Sequence, residues 1–567
     1  MATSPSKRRR RRTFLKQIPT TIAAGFAAPA ALRAGAQAPA APAAQAGGVS
    51  IDTLAAAQQV AAVTLPATEL ESARPLVSRN LNNIAAVRNV ALRPEIEPAF
   101  SYRPPRPQMP ARQASGRAIR PAPTPGTKTL RIEDLAFEPA IALASRIRAR
   151  QISSVDLTAM YLDRLKRYDG KLFTVVTFTE ELARAQAEQA DAEIRAGRYR
   201  GPLHGIPYGI KDLFSAKGIP TTWGAKPFEN QTFDYDSTAV TRLREAGAVL
   251  VAKLSTGELA IGDLWFRART RNPWNPERGA SGSSAGPASA AAAGLVGFAV
   301  GTETNGSIIL PASTCGAVGL RPTYGRSSRY GCMTLRWTLD KVGVIARSVA
   351  DTALVLEVLH GPDDRDDTVA DLPFAWDGGR DVKGVRVGYI ESEFNAPAAK
   401  PLADMVLEVY RKAGATLVPI AMPDLPSAAV YALLNAEAGA MFDELVRTGA
   451  INDLADKGAN GRANQLRAAR FIPAVDYIRA QRVRTLITQQ MNALFEKVDA
   501  FIAPAASASV VTSNLTGHPA ITVPAGFLND LPIGLMVTGP LYKEDRVMQV
   551  AAAFEAATDW KSKHPAL

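Results

Sequence analysis

Apolar residues recur every three to four positions in six segments of the chain, which is the spacing of amphipathic helices. These segments are residues 138–150, 155–167, 180–197, 348–359, 401–413 and 545–558. Ser154 stands directly before the second segment and is predicted as its N-cap, because a serine hydroxyl can accept a hydrogen bond from the first helical turn. The pattern therefore predicts helices in all six segments.

Short apolar runs bounded by turn residues alternate with these helices and have the length of buried strands. They cover residues 250–253, 295–300, 385–390, 416–420, 500–503, 520–523 and 533–537. Continuous apolar runs, unlike strictly alternating ones, are typical of strands that are buried on both faces. We therefore expect an α/β fold whose central β-sheet is covered by helices on both faces.

The positive charge of the chain is concentrated before the predicted fold. The 567 residues carry a formal net charge of +13. Residues 1–36 contain eight Lys or Arg and no acidic residue, and residues 37–127 contain nine Arg against five acidic residues, so that only +1 remains from Lys128 onward. A nearly neutral domain without a basic cluster does not indicate nucleic-acid binding.

The first 36 residues resemble a twin-arginine export signal. Arg11-Arg12-Thr13-Phe14-Leu15-Lys16 precedes a mildly apolar, Ala-rich stretch, and Ala34-Gly35-Ala36 offers a small-residue cleavage site. The stretch is too short and weakly apolar for stable membrane insertion. The resemblance implies the twin-arginine export machinery as a partner and a periplasmic or secreted location. A basic tail that binds an anionic surface is the alternative.

Residues 37–127 are predicted to be a Pro-, Ala- and Arg-rich leader. Short helices are expected in residues 51–95, and residues 100–126 are dense in Pro and Arg, which is typical of an extended linker or of a strap over the domain surface. The catalytic domain is expected to cover residues 128–567.

Cysteine and histidine are too sparse and too scattered to predict a metal site. Cys315 and Cys332 do not stand in a ligand spacing with any of the four histidines, so no metal and no cofactor is expected. Two free, packed thiols are favoured over a disulfide.

Three segments place small residues around a reactive side chain. Lys211 stands alone among apolar and glycine positions in residues 205–212, where lost hydration would favour its neutral form. Ser283 lies in Ser281-Gly282-Ser283-Ser284-Ala285-Gly286, and Ser307 follows Gly301-Thr302-Glu303-Thr304-Asn305-Gly306. A glycine-containing turn before a serine exposes backbone N–H groups, as an oxyanion hole requires. Taken alone, each segment also fits a structural turn or a surface Lys211–Asp212 pair.

The order and spacing of these segments strongly resemble the amidase signature family. The likeness extends from about residue 130 to residue 560 and includes further motifs. These are Pro202-Leu203-His204-Gly205-Ile206-Pro207, Gly316-Ala317-Val318-Gly319-Leu320-Arg321-Pro322, Arg347-Ser348-Val349-Ala350-Asp351 and Gly517-His518-Pro519-Ala520. The resemblance implies a large mixed central sheet and an exported serine hydrolase that cleaves amides through an acyl-enzyme. Esterase activity is an expected side reaction.

The resemblance also implies a role for each site residue. Ser307 would be the nucleophile, Ser283, on a cis peptide, would relay its proton, and neutral Lys211 would be the base. The oxyanion hole would consist of the backbone N–H groups of Thr304, Asn305, Gly306 and Ser307. Ser284 and Glu303 would support the loop. The expected partner is a small-molecule amide, and the sequence specifies no oligomeric state.

Three positions depart from the family pattern. Asn305 replaces the first of two glycines before the nucleophile, and it is the non-glycine residue that best tolerates a left-handed backbone. Glu303 replaces the usual Asp. Ile309 replaces an Arg, which removes the expected buried partner of that acid.

Three alternatives remain open at the level of sequence. Gly282-Ser283-Ser284-Ala285-Gly286 also matches the G-x-S-x-G elbow, with Ser284 as nucleophile and His360 or His518 as base, but no strand is predicted directly before it. The chain also resembles the amidase-type subunit of a tRNA-dependent amidotransferase. The departures at Asn305 and Ile309 motivate a third alternative, a non-catalytic binding protein.

Overall fold

A computed structural model describes residues 48–92, 96, 98–100, 131–395 and 400–567. The predicted export signal, most of the Pro- and Arg-rich segment 100–126 and the expected start of the domain at Lys128 lie outside the described residues. Residues 44–567 form one compact unit. No helix in the described ranges combines the length and the apolar character needed to cross a bilayer.

The core of the fold is an eleven-stranded mixed sheet with the strand order β1-β3-β2-β4-β6-β5-β10-β11-β9-β7-β8. The strands are β1 Val175–Phe178, β2 Pro207–Lys211, β3 Val249–Leu254, β4 Phe298–Glu303, β5 Val318–Arg321, β6 Lys341–Ala346, β7 Arg386–Ile390, β8 Thr416–Ile420, β9 Ala500–Pro504, β10 Ala520–Leu528 and β11 Leu531–Thr538. β2 is parallel to β3 and β4, and β7 is parallel to β8 and β9. The remaining neighbours are antiparallel. Each strand that was predicted from an apolar run is present.

Successive residues of the central strands pack into different hydrophobic clusters, so both faces of the sheet are covered. In β4, Phe298 and Val300 belong to one cluster, whereas Ala299 belongs to another. In β9, Ile502 and Phe501 are divided in the same way. Side chains alternate between the faces of a strand, so this division confirms the predicted helix-covered sheet.

The helices agree with the predicted segments to within about one turn. They are α1 Ile51–Val60, α2 Ala67–Arg88, α3 Ala140–Arg148, α4 Ser154–Leu172, α5 Glu180–Arg195, α6 Thr238–Glu245, α7 Ala285–Ala292, α8 Ile309–Cys315, α9 Val349–Leu359, α10 Glu391–Phe394, α11 Lys400–Lys412, α12 Ser427–Leu433, α13 Asn435–Met441, α14 Asp443–Thr448, α15 Arg462–Ala469, α16 Ala474–Lys497, α17 Ser509–Leu515 and α18 Glu544–Ala557. Short 3-10 helices span Ile132–Leu135, Lys226–Phe228, Glu258–Ala260, Ala450–Asp453 and Trp560–Ser562.

The predicted N-cap Ser154 is wrong by one residue. Ser153 has the extended backbone of a cap, and its hydroxyl accepts a hydrogen bond from the backbone N–H of Asp156. Ser154 is the first helical residue. Its hydroxyl donates to the carbonyl of Gly205 instead, so of two adjacent serines the earlier one serves as the cap.

Helix α2 lies outside the sheet domain in sequence but is firmly attached to it. Its buried residues Leu70 and Val77 join a cluster with Leu466 of α15, and Ile84 joins a cluster with Val483 of α16. Two ion pairs fix the helix at its ends. They are Glu69–Arg467 at 2.9 Å and Arg88–Asp476 at 2.8 Å.

A buried ion pair links the loop after β5 to the start of α18. Arg326 Nη2 lies 2.6 Å from Glu544 Oε2, and the two side chains are 1% and 0% exposed. Glu544 Oε1 also accepts a hydrogen bond from the backbone N–H of Thr323 at 2.9 Å. Burial raises the pKa of Glu544, but the Arg326 charge and these hydrogen bonds lower it more, so its pKa lies below the ordinary value.

Removing the positive partner of this pair is expected to destabilise the fold strongly. In Arg326→Met, a buried carboxylate loses its counter-charge, and we expect the free energy of unfolding to fall by about 3–5 kcal/mol. The double variant Arg326→Met/Glu544→Gln should recover part of that loss, because no charge is then left unpaired. Urea unfolding monitored by circular dichroism measures both values, and equal losses in the single and double variants would contradict this account.

Candidate active site

Lys211 is the last residue of β2, and its amine is buried between two hydroxyl groups. The side chain is 0% exposed. Nζ donates hydrogen bonds to Ser283 Oγ and to Thr302 Oγ1, each at 2.9 Å. Burial disfavours the ammonium form and lowers the pKa of Lys211 to about 7, although Asp340 and Glu303 act in the opposite direction. A large fraction of the amine is therefore uncharged at neutral pH.

The adjacent acid, Asp212, does not pair with Lys211. Its Oδ1 lies 2.8 Å from Nζ of Lys253 on β3, and both side chains are fully buried. Its Oδ2 accepts a hydrogen bond from the backbone N–H of Thr222. The alternative of a surface Lys211–Asp212 pair is therefore wrong, because Lys253 takes the carboxylate and leaves Lys211 to the serine side.

Ser283 follows a cis peptide bond with Gly282, as the resemblance implied. Only glycine fits at position 282, since an added Cβ would lie 1.8 Å from the carbonyl oxygen of Gly262. Ser283 is 1% exposed and directs its hydroxyl to Lys211. The structure therefore brings the predicted base and the predicted relay into direct contact.

Ser284 joins the two serine segments. Its backbone N–H donates to the carbonyl of Ser307 at 3.0 Å, and its hydroxyl donates to the carbonyl of Thr302 at 3.1 Å. An added Cβ at Gly301 would lie 2.7 Å from Ser284 Oγ, so small residues are needed on both sides of this contact. Ser284 thus has the supporting position expected from the sequence.

The loop 304–307 presents backbone N–H groups that have no partner within the described part of the chain. In contrast, the next two N–H groups, those of Ile308 and Ile309, donate to Glu303 at 2.7 and 2.9 Å. The left-handed backbone of this loop falls on Gly306, which has a φ of 80°. Asn305 is not left-handed, so its substitution for glycine requires no such tolerance.

Ser307 lines a cavity of about 460 Å³ together with Gly282, Thr304 and Asn305. Its hydroxyl forms no hydrogen bond with any residue that the structure describes, whereas Lys211 and Ser283 are buried beside the cavity. A substrate carbonyl in this cavity can therefore reach a serine hydroxyl and four unpaired N–H groups of one loop.

Glu303 has a buried cationic partner that the sequence analysis missed. Arg321, at the end of β5, donates from Nη1 to Glu303 Oε1 at 2.7 Å, and Asn514 donates to the same oxygen at 2.8 Å. Burial raises the pKa of Glu303, but the charge of Arg321 and the hydrogen bonds lower it below the ordinary value. The expected loss of a partner through Ile309 is therefore wrong, because Arg321 supplies the positive charge from another strand.

Asp340 is a second carboxylate that sequence analysis missed. Its Oδ1 accepts from Thr304 Oγ1 at 2.6 Å, and its Oδ2 accepts from the backbone N–H groups of Leu335 and Arg336 at 2.7 and 2.9 Å. Asp340 therefore joins the loop 304–307 to the segment that places Arg336 on the cavity wall. No local motif marks it, since its partners are distant in sequence.

The G-x-S-x-G alternative does not fit the structure. Ser284 is 0% exposed, it opens α7, and it follows a loop instead of a strand. The ring of His518 hydrogen-bonds with Thr516, and that of His360 with the carbonyl of Glu357. Neither histidine contacts Ser284, so this serine lacks both the exposure and the base that an elbow nucleophile needs.

Comparison with known proteins gives the same result as the geometry. A model of the Amidase family matches residues 156–512. The amidase-type component of glutamyl-tRNA(Gln) amidotransferase from Methylococcus capsulatus is 35% identical over 476 residues, covering 75% of this chain and 98% of that protein. The corresponding protein of Roseiflexus castenholzii is 37% identical over 485 residues, with 76% and 98% covered.

The solved structures show the same fold. The peptide amidase of Stenotrophomonas maltophilia superposes with a TM-score of 0.69 at 29% identity and covers 75% of this chain and 98% of its own. The matched family region contains the lysine and both serine segments. The chain therefore belongs to the amidase family.

Proposed function

We propose that the protein is a free-standing serine hydrolase that cleaves the carbon–nitrogen bond of amides through a Ser307–Ser283–Lys211 triad. The observation that carries this proposal is the hydrogen bond from the buried amine of Lys211 to Ser283, next to a cavity that Ser307 lines. A serine hydroxyl is a weak nucleophile at neutral pH and needs a base in contact, directly or through a relay.

The first half of the reaction forms an acyl-enzyme. Ser307 Oγ attacks the amide carbonyl and transfers its proton to Ser283 Oγ, which passes its own proton to the uncharged Lys211 amine. The N–H groups of residues 304–307 stabilise the developing oxyanion, with roughly 3–4 kcal/mol from a well-placed donor. The Lys211 ammonium then returns a proton through Ser283 to the leaving amine, and water releases the acyl group by the same path.

The titration state of Lys211 makes this path available at neutral pH. A lysine amine with an ordinary pKa near 10.4 would be almost entirely protonated at pH 7 and could not accept a proton. A pKa of about 7 leaves the base form abundant while the conjugate acid is still strong enough to protonate a leaving amine.

A component of a tRNA-dependent amidotransferase is the second candidate, because relatives with that name are 35–38% identical to this chain. The resemblance of residues 1–36 to an export signal favours the free-standing hydrolase, which would act in the periplasm or outside the cell. Release of ammonia from glutamine without any tRNA or partner protein would be consistent with both candidates. Turnover of anilides, which carry no ammonia, favours the hydrolase.

Loss of the triad is expected to abolish hydrolysis of chromogenic anilides and amino-acid amides. We expect Ser307→Ala and Lys211→Ala each to lower kcat/KM at least about a thousandfold, since the triad acts as one unit. His360→Gln serves as the matched control, because His360 does not contact the triad. Folding of each variant is checked by thermal unfolding.

Covalent labelling separates the hydrolase from a non-catalytic binding protein. A fluorophosphonate probe should form one adduct, located on Ser307 by peptide mass spectrometry, and Ser307→Ala should remain unlabelled. Failure of the folded wild-type protein to react, together with no turnover of any amide, would overturn the proposed function.

The pH dependence of kcat/KM follows from the lowered pKa of Lys211. Burial places this pKa at about 7, so protonation below that pH removes the base. We expect a plateau above about pH 8 and a tenfold fall per pH unit below about pH 6, as for one essential base. An optimum at acidic pH, measured with substrate far below KM, would exclude Lys211 as the base.

A further inference from the structure

One wall of the catalytic cavity comes from a helix that precedes the family match. Leu76, Arg79, Asn80 and Asn83 of α2 line the cavity that contains Ser307. The matched family region begins only at residue 156. The ion pairs of Glu69 and Arg88 with α15 and α16 attach α2 to the domain, so this wall is part of the fold.

The charge of the cavity lining has a single sign. Arg79, Arg336 and Arg462 line it, and none of its lining residues is acidic. Within the described ranges, none of these three guanidinium groups forms an ion pair with a carboxylate. The other polar side chains on the wall are mostly uncharged amides, including Asn435 and Gln465.

Arg462 is a buried cation with unused hydrogen-bonding capacity. Its side chain is 3% exposed. Nη1 donates to Gln465 Oε1 at 3.0 Å, and Nε has no partner among the described residues. Burial lowers the pKa of Arg462 to about 10, and the neighbouring charge of Arg336 acts in the same direction.

Arg336 is held in place beside it. Its guanidinium lies 4.0 Å from the ring centre of Tyr431, and its Nη atoms donate to the carbonyl of Tyr431 and to Asn435 Oδ1. Its Nε is likewise buried without a partner among the described residues. Two buried cations without a counter-ion are unfavourable in a folded protein unless an anion joins them.

We propose that this cavity selects amides that also carry a carboxylate, with Arg462 as the principal partner of that group and Arg79 of α2 attracting it at the exposed edge. The inference rests on the proposed amide hydrolysis. A guanidinium matches the two oxygens of a carboxylate, and desolvation in the cavity strengthens the pair. A cationic substrate would meet three like charges and no acid.

The test compares substrates that differ mainly in charge. The wild-type protein is given the mono-4-nitroanilide of glutaric acid, and the 4-nitroanilides of pentanoic acid and of 5-aminopentanoic acid serve as the neutral and cationic comparisons. N-pentanoyl-4-aminobenzoate, compared with the anilide of pentanoic acid, places the carboxylate on the leaving side. We expect kcat/KM for one of the two anionic amides to exceed that of its neutral counterpart by roughly tenfold or more.

Variants then assign the preference to the arginines. Arg462→Met should reduce the ratio of anionic to neutral kcat/KM to near one, and Arg462→Lys should retain part of it. Arg79→Met, at an exposed position, should reduce the ratio by a smaller factor. Arg74→Met is the control, because Arg74 lies on the same helix but pairs with Glu71 and does not line the cavity.

The possible failures can be told apart. Equal kcat/KM for anionic, neutral and cationic amides in the wild-type protein would overturn the carboxylate inference and leave the hydrolase intact. An unchanged ratio in folded Arg79→Met and Arg462→Lys would overturn the assignment to these residues. If no amide is turned over and Ser307 does not react with the fluorophosphonate, the proposed function itself fails.

Discussion

The catalytic site depends on one uncharged amine, that of Lys211, which is buried between two hydroxyl groups and has no carboxylate partner. A lysine reaches this state only where the surrounding protein excludes water and directs every nearby acid elsewhere. The sheet provides the exclusion, since β2 and its neighbours β3 and β4 are buried along their whole length. The diversion of acids is equally specific, because Asp212 pairs with Lys253 and Glu303 pairs with Arg321.

The same constraint explains why so many small residues surround the site. Helix α7 is built of Ala, Ser, Gly and Pro, and every one of its residues is buried. Gly282 and Gly301 leave no space for a side chain. Close packing of this kind keeps the hydroxyl of Ser283 within 2.9 Å of the amine and keeps water out. Bulky residues would separate the groups or admit solvent, and either change would raise the pKa of Lys211.

The sequence predicted the architecture well where burial has a period and poorly where it does not. Amphipathic helices such as α4 and α5 follow a clear apolar pattern. Strand β2 was not predicted, because Pro, Gly and Lys occupy three of its five positions. Helix α7 is buried on all sides and therefore has no amphipathic pattern. The cap of α4 was displaced by one residue because two adjacent serines have the same chemistry.

The site itself was predictable to the extent that motifs carry it. The positions of Lys211, Ser283 and Ser307 follow from the resemblance, and the structure brings the first two into contact. Arg321 and Asp340 were missed because they reach the loop 304–307 through the sheet and through tertiary contacts. The cavity wall from α2 was missed for a related reason, since no motif in residues 67–88 indicates a position beside Ser307.

The most direct test of the account is the titration of the Lys211 amine itself. In protein labelled with [ε-13C]lysine, the signal that disappears in Lys211→Met identifies this residue, and its chemical shift is followed against pH. The account predicts a midpoint near 7, well below the value of about 10.4 for exposed lysines. A midpoint of about 10 would show that Lys211 is charged at neutral pH and would contradict its role as the base.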